Sequence, residues 1–362
     1  MKIKGSVDGS FGAGFQNPDG YKGCGDFPTI KFTTDWKEVD VATTCNGDNA
    51  KRLLLNIGKY VGTIYIDDFE VYYMKKANKI PLTDEEKKDT LTWAMNKWVD
   101  GMMEACDGKV KAWDVVNEAL SGADKDGDGK YDLQSATRGN VSAEDAARNF
   151  YWQDYLGDLD YVRTAVKAAR ESFAAHNGNP EDLKLFINDY NLESDWDQNG
   201  KLKSLIQWIK DWEADGVTKI DGIGSQMHIS CYGNPKTQES KKNAIVNMLK
   251  LMAESGKLVR ISELDMAYVD ETGKSVNTND MTEEQHKQMR ELYEFVIKKY
   301  FEIIPEAQQW GICQWCPTDS PANSGWRAGA PTGLWDKDYY RKHTYGGFAA
   351  GLGAPEYWND AK

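Results

Sequence analysis

Val110-Lys-Ala-Trp-Asp-Val-Val-Asn-Glu118 is an apolar, β-branched run that ends on an amide and a carboxylate. Such a run reads as a buried strand with polar groups at its carboxyl end. The same form returns downstream. Leu183-Lys-Leu-Phe-Ile187 leads into Asn188-Asp-Tyr-Asn191, and Ile220-Asp-Gly-Ile-Gly-Ser-Gln226 into Met227-His228. Leu258-Val-Arg-Ile-Ser262 leads into Glu263-Leu-Asp265, and Gln309-Trp-Gly-Ile-Cys-Gln-Trp315 closes on a tryptophan. Amphipathic stretches over about 159–175, 201–214, 238–255 and 283–302 separate these runs. Apolar strands alternating with amphipathic helices predict an α/β fold, a parallel sheet covered by helices. Five such strands are legible, not eight. In folds of this kind function gathers at the carboxyl ends of the strands. One polar strand end alone reads as a solvated loop charge; five in series read as a site.

Upstream the character changes. Thr83-Asp-Glu-Glu86 is a capping box, and Leu91, Met95, Trp98, Met102 and Ala105 follow at helical spacing. Before it, Pro28-Thr-Ile-Lys-Phe-Thr-Thr34, Lys37-Glu-Val-Asp-Val-Ala-Thr43, Arg52-Leu-Leu-Leu-Asn-Ile57 and Gly62-Thr-Ile-Tyr-Ile-Asp-Asp-Phe-Glu-Val-Tyr72 are β-branched or alternating runs between turn clusters. These predict a β-rich segment over 1–76, part of a β-sandwich, and a second region over 80–362.

Composition limits the function. Of 362 residues, 44 are lysine or arginine and 57 aspartate or glutamate, a formal charge of −13. That balance argues against nucleic acid, whose phosphates need clustered cations, and against an anionic membrane surface. No apolar run approaches the length of a membrane span. The 13 tryptophans and 18 tyrosines supply amphipathic rings that stack on the apolar faces of sugars; an aromatic-rich core is the plainer reading of the same count. Met1-Lys-Ile-Lys opens no apolar signal segment, so the chain reads as cytoplasmic or as a piece of a longer secreted protein. Cys313 and Cys316 form a C-x-x-C inside a strand-like run, which places them on opposite faces and predicts two buried thiols. Cys24 and Cys45 leave a pairing open.

Two strand ends carry carboxylates, Glu118 and Glu263. Two carboxyl groups across a sugar-binding cleft are the least that glycosidic cleavage requires, one to protonate the leaving oxygen and one to attack or to activate water. Asn117 suits a hydrogen bond to a sugar hydroxyl, and Asp265 suits the orienting of His228.

Trp113-Asp-Val-Val-Asn-Glu118, Gln226-Met-His228 and Ile261-Ser-Glu-Leu-Asp265 resemble the signatures of glycoside hydrolase family 10, the retaining endo-β-1,4-xylanases. Leu185-Phe-Ile-Asn-Asp-Tyr-Asn191 resembles that family's fifth strand. Trp315, Thr318-Asp-Ser320, Trp326-Arg327 and Leu334-Trp-Asp-Lys-Asp338 resemble its eighth strand and the loop after it. The resemblance runs from about residue 80 to 350. It implies an (β/α) barrel of the TIM type, incomplete at about five of eight units. It implies Glu118 as acid/base and Glu263 as nucleophile, with carboxyl groups about 5–5.5 Å apart. Asn117, Gln226 and His228 would contact the sugar at the cleavage point, Asn188 and Asp265 would also bind substrate, Trp315 and Trp326 would wall that subsite, and Tyr190 would stack on the leaving-group side. No cofactor is implied. The parent family is secreted or at the cell surface. Residues 1–76 resemble the C-terminal half of a xylan-binding β-sandwich module of the kind inserted after the third barrel strand in some gut and rumen bacterial xylanases.

The family's first three barrel strands have no counterpart in this reading. A five-stranded open sheet exposes two edges, which predicts a homo-oligomer that covers the gap, and activity below that of a complete barrel. The rival readings are a chain that only binds xylan and a β-1,4-glucanase of the same barrel superfamily. Asp124-Lys-Asp-Gly-Asp-Gly129, with Asp132 at the ninth position, matches the first half of a calcium loop through Asp124, Asp126 and Asp128. Ser135 stands at the twelfth position, so the bidentate glutamate is absent and a solvated turn is the plainer reading. Asp195-Trp-Asp-Gln-Asn-Gly200 has a similar look but leads into a helix.

Overall fold

The computed structural model describes residues 1–46, 50–72, 80–139 and 141–355. It divides into two compact units, Met1–Pro81 and Leu82–Lys362.

The first unit contains two antiparallel sheets. Strands β1 (Lys2–Gly5), β2 (Gly9–Asn17), β3 (Lys22–Asp26), β4 (Ile30–Phe32), β5 (Lys37–Glu38), β6 (Arg52–Asn56) and β7 (Ile64–Asp67) supply them. One sheet runs β5-β1-β7; in the other, β2 pairs with β3, β4 and β6. Ile3, Phe11, Ala13, Ile30 and Phe32 form the core, with Tyr60 and Ile64 against it. The runs expected over 37–43 and 62–72 shorten to β5 and β7. Strand β2 escapes a propensity reading because Gly9, Gly12 and Gly14 interrupt it. Its Phe11 and Ala13 nevertheless alternate inward, and a Cβ at Gly9 would lie 2.6 Å from the Tyr60 ring.

The second unit opens with α1 (Asp84–Cys106), capped as its sequence predicts: Thr83 Oγ1 accepts from Glu86 N at 3.2 Å, and Glu86 Oε2 accepts from Thr83 N at 2.8 Å. There follow β8 (Ala112–Asn117), the short α2 (Ala143–Arg148) and α3 (Gln153–Leu156), α4 (Asp160–Ala175), β9 (Lys184–Asp189), α5 (Gly200–Glu213), β10 (Gly222–Ser225), β11 (His228–Tyr232) and α6 (Pro235–Glu254). The chain continues through β12 (Leu258–Val269), β13 (Ser275–Val276), α7 (Glu283–Ile303), β14 (Gln309–Gln314) and α8 (His343–Gly351). Strands β8-β9-β10-β12-β14 pair in parallel in that order, with β11 beside the distal half of β12 and the short β13 antiparallel to it. Leu185, Ile187, Ile223, Val259 and Ile261 of the sheet pack with Phe173, Leu205, Trp212, Met248 and Tyr293 of the helices.

The sheet curls strongly. Arg260 on β12 reaches Asp114 on β8 with Nη2 3.1 Å from Oδ2, although β9 and β10 lie between them. In a flat sheet, strands three places apart are about 14 Å apart. Phe186 on β9 likewise meets Trp310 on β14, ring centroids 5.6 Å apart. The result is an incomplete (β/α) barrel, its wall closed on one side. Residues of β8 and β14 are mostly half-buried or exposed, whereas all four of β10 are buried.

The open edge corrects one expectation. Cys313 and Cys316 are free and exposed, not buried, because β14 is an edge strand in the described sheet. Cys24 is buried, Cys45 exposed, and both are free.

One hydroxyl of helix α7 bonds two strands of the sheet at once. Buried Tyr300 donates to Val259 O at 2.8 Å and accepts from Gly311 N at 2.9 Å. Tyr300→Phe removes both bonds and leaves the Gly311 amide without its acceptor. We expect a loss of about 1–3 kcal/mol, read as a lower urea midpoint with an unchanged m-value.

Candidate active site

The carboxyl ends of β8, β9 and β10 and the middle of β12 converge on one cluster. Asn188, at the end of β9 and 1% exposed, is its centre. Its Nδ2 donates to Asn117 Oδ1 at 2.9 Å and to Glu263 Oε1 at 3.0 Å, while its Oδ1 accepts from Ser262 Oγ at 2.6 Å. Gln226, just past β10, donates from Nε2 to Glu118 Oε1 at 2.9 Å and to Asn117 Oδ1 at 3.2 Å. Two amides therefore link the two carboxylates through Asn117. Each supplies N–H donors that offset the repulsion between like charges at close range. The cluster needs a bare backbone beside it: a Cβ at Gly224 would lie 2.3 Å from Asn188 Oδ1.

His228 stands between two carboxylates, Nε2 3.3 Å from Glu263 Oε2 and Nδ1 3.0 Å from Asp265 Oδ1. Asp265 is fully buried. It also accepts from Trp326 Nε1 at 2.8 Å and pairs with Arg327 at 3.3 Å. Arg327 donates in turn to the carbonyls of His228 and Ile229 at 2.7 and 2.6 Å. The Trp315 and Trp326 rings meet the imidazole edge-on, centroids 6.3 and 4.7 Å away, and both indoles are exposed. Two exposed indoles therefore flank the imidazole that lies between the carboxylates.

Glu118 is held by its backbone. It adopts a left-handed φ of 55°, a conformation that a non-glycine residue takes only under constraint. The constraints come from neighbouring elements. Glu118 N donates to Asn188 O at 2.9 Å, Gln134 Nε2 donates to Glu118 O at 2.6 Å, and Leu120 N donates to Asp189 Oδ2 at 3.1 Å. Asp189 is fully buried and accepts from Lys201 Nζ at 2.7 Å. That ammonium lies 3.3 Å from the centre of the Tyr190 ring. Burial, with the charges of Asp189 and Glu118, raises the pKa of the Tyr190 phenol and keeps it a neutral O–H.

The residues picked from sequence thus fall together: Asn117, Glu118, Asn188, Gln226, His228, Glu263 and Asp265 in one bonded cluster, with Trp315 and Trp326 against His228. Tyr190 lies beside it over Lys201. Sequence reasoning missed Asp189, Lys201, Gln134, Ser262, Gly224 and the two carbonyl contacts of Arg327. Asp189 and Arg327 lie inside motifs already noticed; Lys201 and Gln134 carry no local signal.

The acidic loop is separate. Asp124, Asp126 and Asp128 present oxygens within 4.8 Å of one another and are exposed. Asp124 accepts the amides of Gly127 and Gly129 at 2.8 and 2.9 Å. Asp132 accepts instead from Lys125 N at 2.9 Å, and Ser135 bonds Asp154. In the second acidic loop Asp195 pairs with Lys241 at 2.6 Å.

Comparison with known proteins gives a consistent relationship. A sequence profile of glycosyl hydrolase family 10 matches residues 73–350, and the chain belongs to that family. It is 28% identical over 261 residues to endo-1,4-beta-xylanase A of Thermotoga maritima, covering 71% of this chain and 20% of that protein. It is 28% identical over 232 residues to endo-1,4-beta-xylanase A of Caldicellulosiruptor saccharolyticus, covering 63% and 57%. The chain thus spans less than two thirds of these relatives. Among solved structures it is similar in fold to xylanase B from Clostridium stercorarium F9, with a TM-score of 0.55 and 22% identity over 73% of this chain and 68% of that one.

The buried pair beneath Glu118 has a testable energy. Burial raises the Asp189 carboxyl above its ordinary value, and Lys201 opposes that rise. In Lys201→Met the carboxyl climbs further. A group whose folded pKa exceeds its unfolded value favours folding while protonated, and this contribution is lost as pH rises through the folded pKa. We expect Lys201→Met to lose about 3–5 kcal/mol at pH 8 and much less below about pH 4. Urea unfolding at both pH values measures the difference.

Proposed function

We propose that this family 10 chain hydrolyses internal β-1,4-xylosidic bonds with retention of configuration. The observation that carries the reading is the pair Glu118 and Glu263, linked by Gln226, Asn117 and Asn188 across the mouth of the sheet. Glu263 attacks the anomeric carbon while Glu118 gives its proton to the departing oxygen, forming a glycosyl ester. Glu118 then takes a proton from water as that water attacks the same carbon and releases Glu263. His228, held by Asp265, fixes the orientation of Glu263. Asn117 and the walls at Trp315 and Trp326 receive the sugar. In the first unit Trp36, just before β5, and Tyr65, on β7, have exposed rings, which suit the apolar face of a sugar. A polymer too large to enter a cell requires action outside it, so the chain works in a secreted or surface-bound protein.

The open strands β8 and β14 favour association. We propose that a second copy covers this edge, since an uncovered parallel strand leaves both apolar surface and backbone groups in water. Light scattering then gives a multiple of the chain mass. A single monodisperse monomer opposes it.

Replacement of the two glutamates separates their roles. Glu263→Ala abolishes reducing-sugar release from xylan. Glu118→Ala slows xylan cleavage about 10²–10⁴-fold, but an aryl xylobioside with a good leaving group, which needs no proton, still forms the glycosyl-enzyme rapidly. Proton NMR of the first product shows the β-anomer. An α-anomer, or carboxymethylcellulose cleaved faster than xylan, defeats the reading.

A further inference from the structure

Directly after Glu118 the chain leaves the sheet and returns beside it sixteen residues later at Gln134. The outward and returning legs are paired. Leu120 and Leu133 face each other in an antiparallel bridge, and both are buried. Ser121 N donates to Asp132 O, Asp132 N to Ala123 O and Gln134 N to Ala119 O, each at 2.8 Å. Such a ladder holds one register, since a slip of one residue would turn a buried leucine to the other face. Gln134 therefore returns to a fixed place. Its side chain reaches back to the backbone of the acid, Nε2 donating to Glu118 O at 2.6 Å. Two neighbours orient it. Tyr151 Oη donates to Gln134 Oε1 at 2.9 Å, and the buried Gln153 donates from Nε2 to Gln134 O at 2.5 Å. Every other polar group of Gln134 is thus held by a neighbour, and its NH₂ is left to hold Glu118.

The acid is thereby fastened at both ends. Gln226 Nε2 donates to its carboxylate at 2.9 Å, and Gln134 holds its carbonyl at the left-handed turn. Glu118 is exposed and follows an edge strand, so packing does not fix it. Proton donation has a narrow tolerance. The donor and the receiving oxygen must come within about 2.6–3.2 Å, and a displacement of about 1 Å costs on the order of 10²-fold in rate. The nucleophile is independent of this loop, because its partners are Asn188 and His228. A fault at Gln134 therefore falls on one carboxyl of the pair and spares the other.

We propose that Gln134, oriented by Tyr151, is a positioning residue for proton transfer by Glu118, and that it acts through the Glu118 turn rather than on the sugar. The proposal rests on the acid/base role of Glu118 given above. In the first step the bond from the anomeric carbon to the leaving oxygen breaks and its electron pair passes to that oxygen. The oxygen takes the Glu118 proton as Glu263 bonds the carbon; Gln134 keeps its own protons throughout. The test uses the full chain as Gln134→Met, which keeps the length and removes the amide, and as Tyr151→Phe. The substrates are two aryl xylobiosides, one with a good and one with a poor leaving group. On the poor leaving group we expect Gln134→Met to lower kcat/KM about tenfold. On the good one kcat/KM stays within about twofold, while kcat and KM fall together, because Glu118 must still act as base in the second step. Tyr151→Phe gives the same pattern at about threefold on the poor leaving group. Equal losses of kcat/KM on both substrates assign Gln134 to the stability of the loop alone and overturn the proposal. So does a raised KM with kcat unchanged, which assigns it to sugar contact, and so does unaltered kinetics in Gln134→Met. Each of these leaves the xylanase reading intact. Where Gln134→Met fails to fold by circular dichroism, Tyr151→Phe, which loses a single hydroxyl, decides by the same criteria. Absence of turnover by the unsubstituted chain on both xylobiosides and on xylan overturns the xylanase reading and the proposal together.

Discussion

The inward curl of one parallel sheet is the constraint on which the rest of the second unit depends. Without it Asp114 and Arg260 lie on strands too far apart to touch, and so do Asn188 and Glu263 at the other end of the same wall. The curl is clasped twice. Toward the amino ends of the strands, the Asp114–Arg260 pair and the Phe186–Trp310 contact fill the interior. Toward the carboxyl ends, side-chain amides do so, running from Glu118 through Gln226, Asn117 and Asn188 to Glu263. Right-handed twist gives parallel sheets this tendency; interior side chains of the right length make it a particular radius. Gly222 and Gly224 on β10 mark where that radius is tightest, since a Cβ there meets Phe186 or Asn188 at 2.2 to 2.3 Å.

The two glutamates live in different surroundings because they leave different parts of the sheet. Glu263 lies within β12, which is flanked by β10 and β14, and its side chain is only 17% exposed. It is backed by His228, which is backed by Asp265, which is backed by Trp326 and Arg327. Each layer removes a rotational freedom from the one above, so the carboxylate is held in one orientation. Glu118 follows β8, an edge strand, and it and Asn117 are exposed. Its support comes from one side, through Asn188, Asp189 and Gln134. That support acts on the backbone and holds a left-handed turn at φ 55°. Under the proposed mechanism a fixed nucleophile and an acid on a strained, wetter turn are a physically sensible division, since only the acid must give up and regain a proton in each cycle.

The sequence discloses the parts of this arrangement that repeat. Five apolar runs ending on polar residues revealed the strands, the helices between them and the face that carries the chemistry. Local order was legible because period and capping are local: Thr83 and Glu86 start α1 where their spacing says. The supporting contacts were not legible, because they join residues far apart by side chains of no special type. Lys201 looks like a solvated lysine at a helix start until the fold places it under Tyr190 and against Asp189. Cys313 and Cys316 are exposed because the apolar run that reads as an inner strand lies at the edge of the described sheet. In the first unit β2 went unread for the opposite reason: its glycines hide a strand whose only inward marks are Phe11 and Ala13.

The buried pair of Asp189 and Lys201 shows why polar groups persist under an active site. Apolar residues of equal volume often replace such a pair without loss of stability, so its value lies in position. A carboxylate accepts several N–H groups at once, and Asp189 takes those of Leu120 and Tyr190 as well as the ammonium. One anion therefore sets both the turn that carries Glu118 and the start of the loop that carries Tyr190. The ammonium then fixes the Tyr190 ring from below, 3.3 Å from its centre, a cation–π contact strengthened by desolvation. An isoleucine in place of Asp189 fills the same space and orders neither. The fold accepts the desolvation of two charges because they hold the Glu118 turn and the Tyr190 ring more tightly than packing alone can hold them.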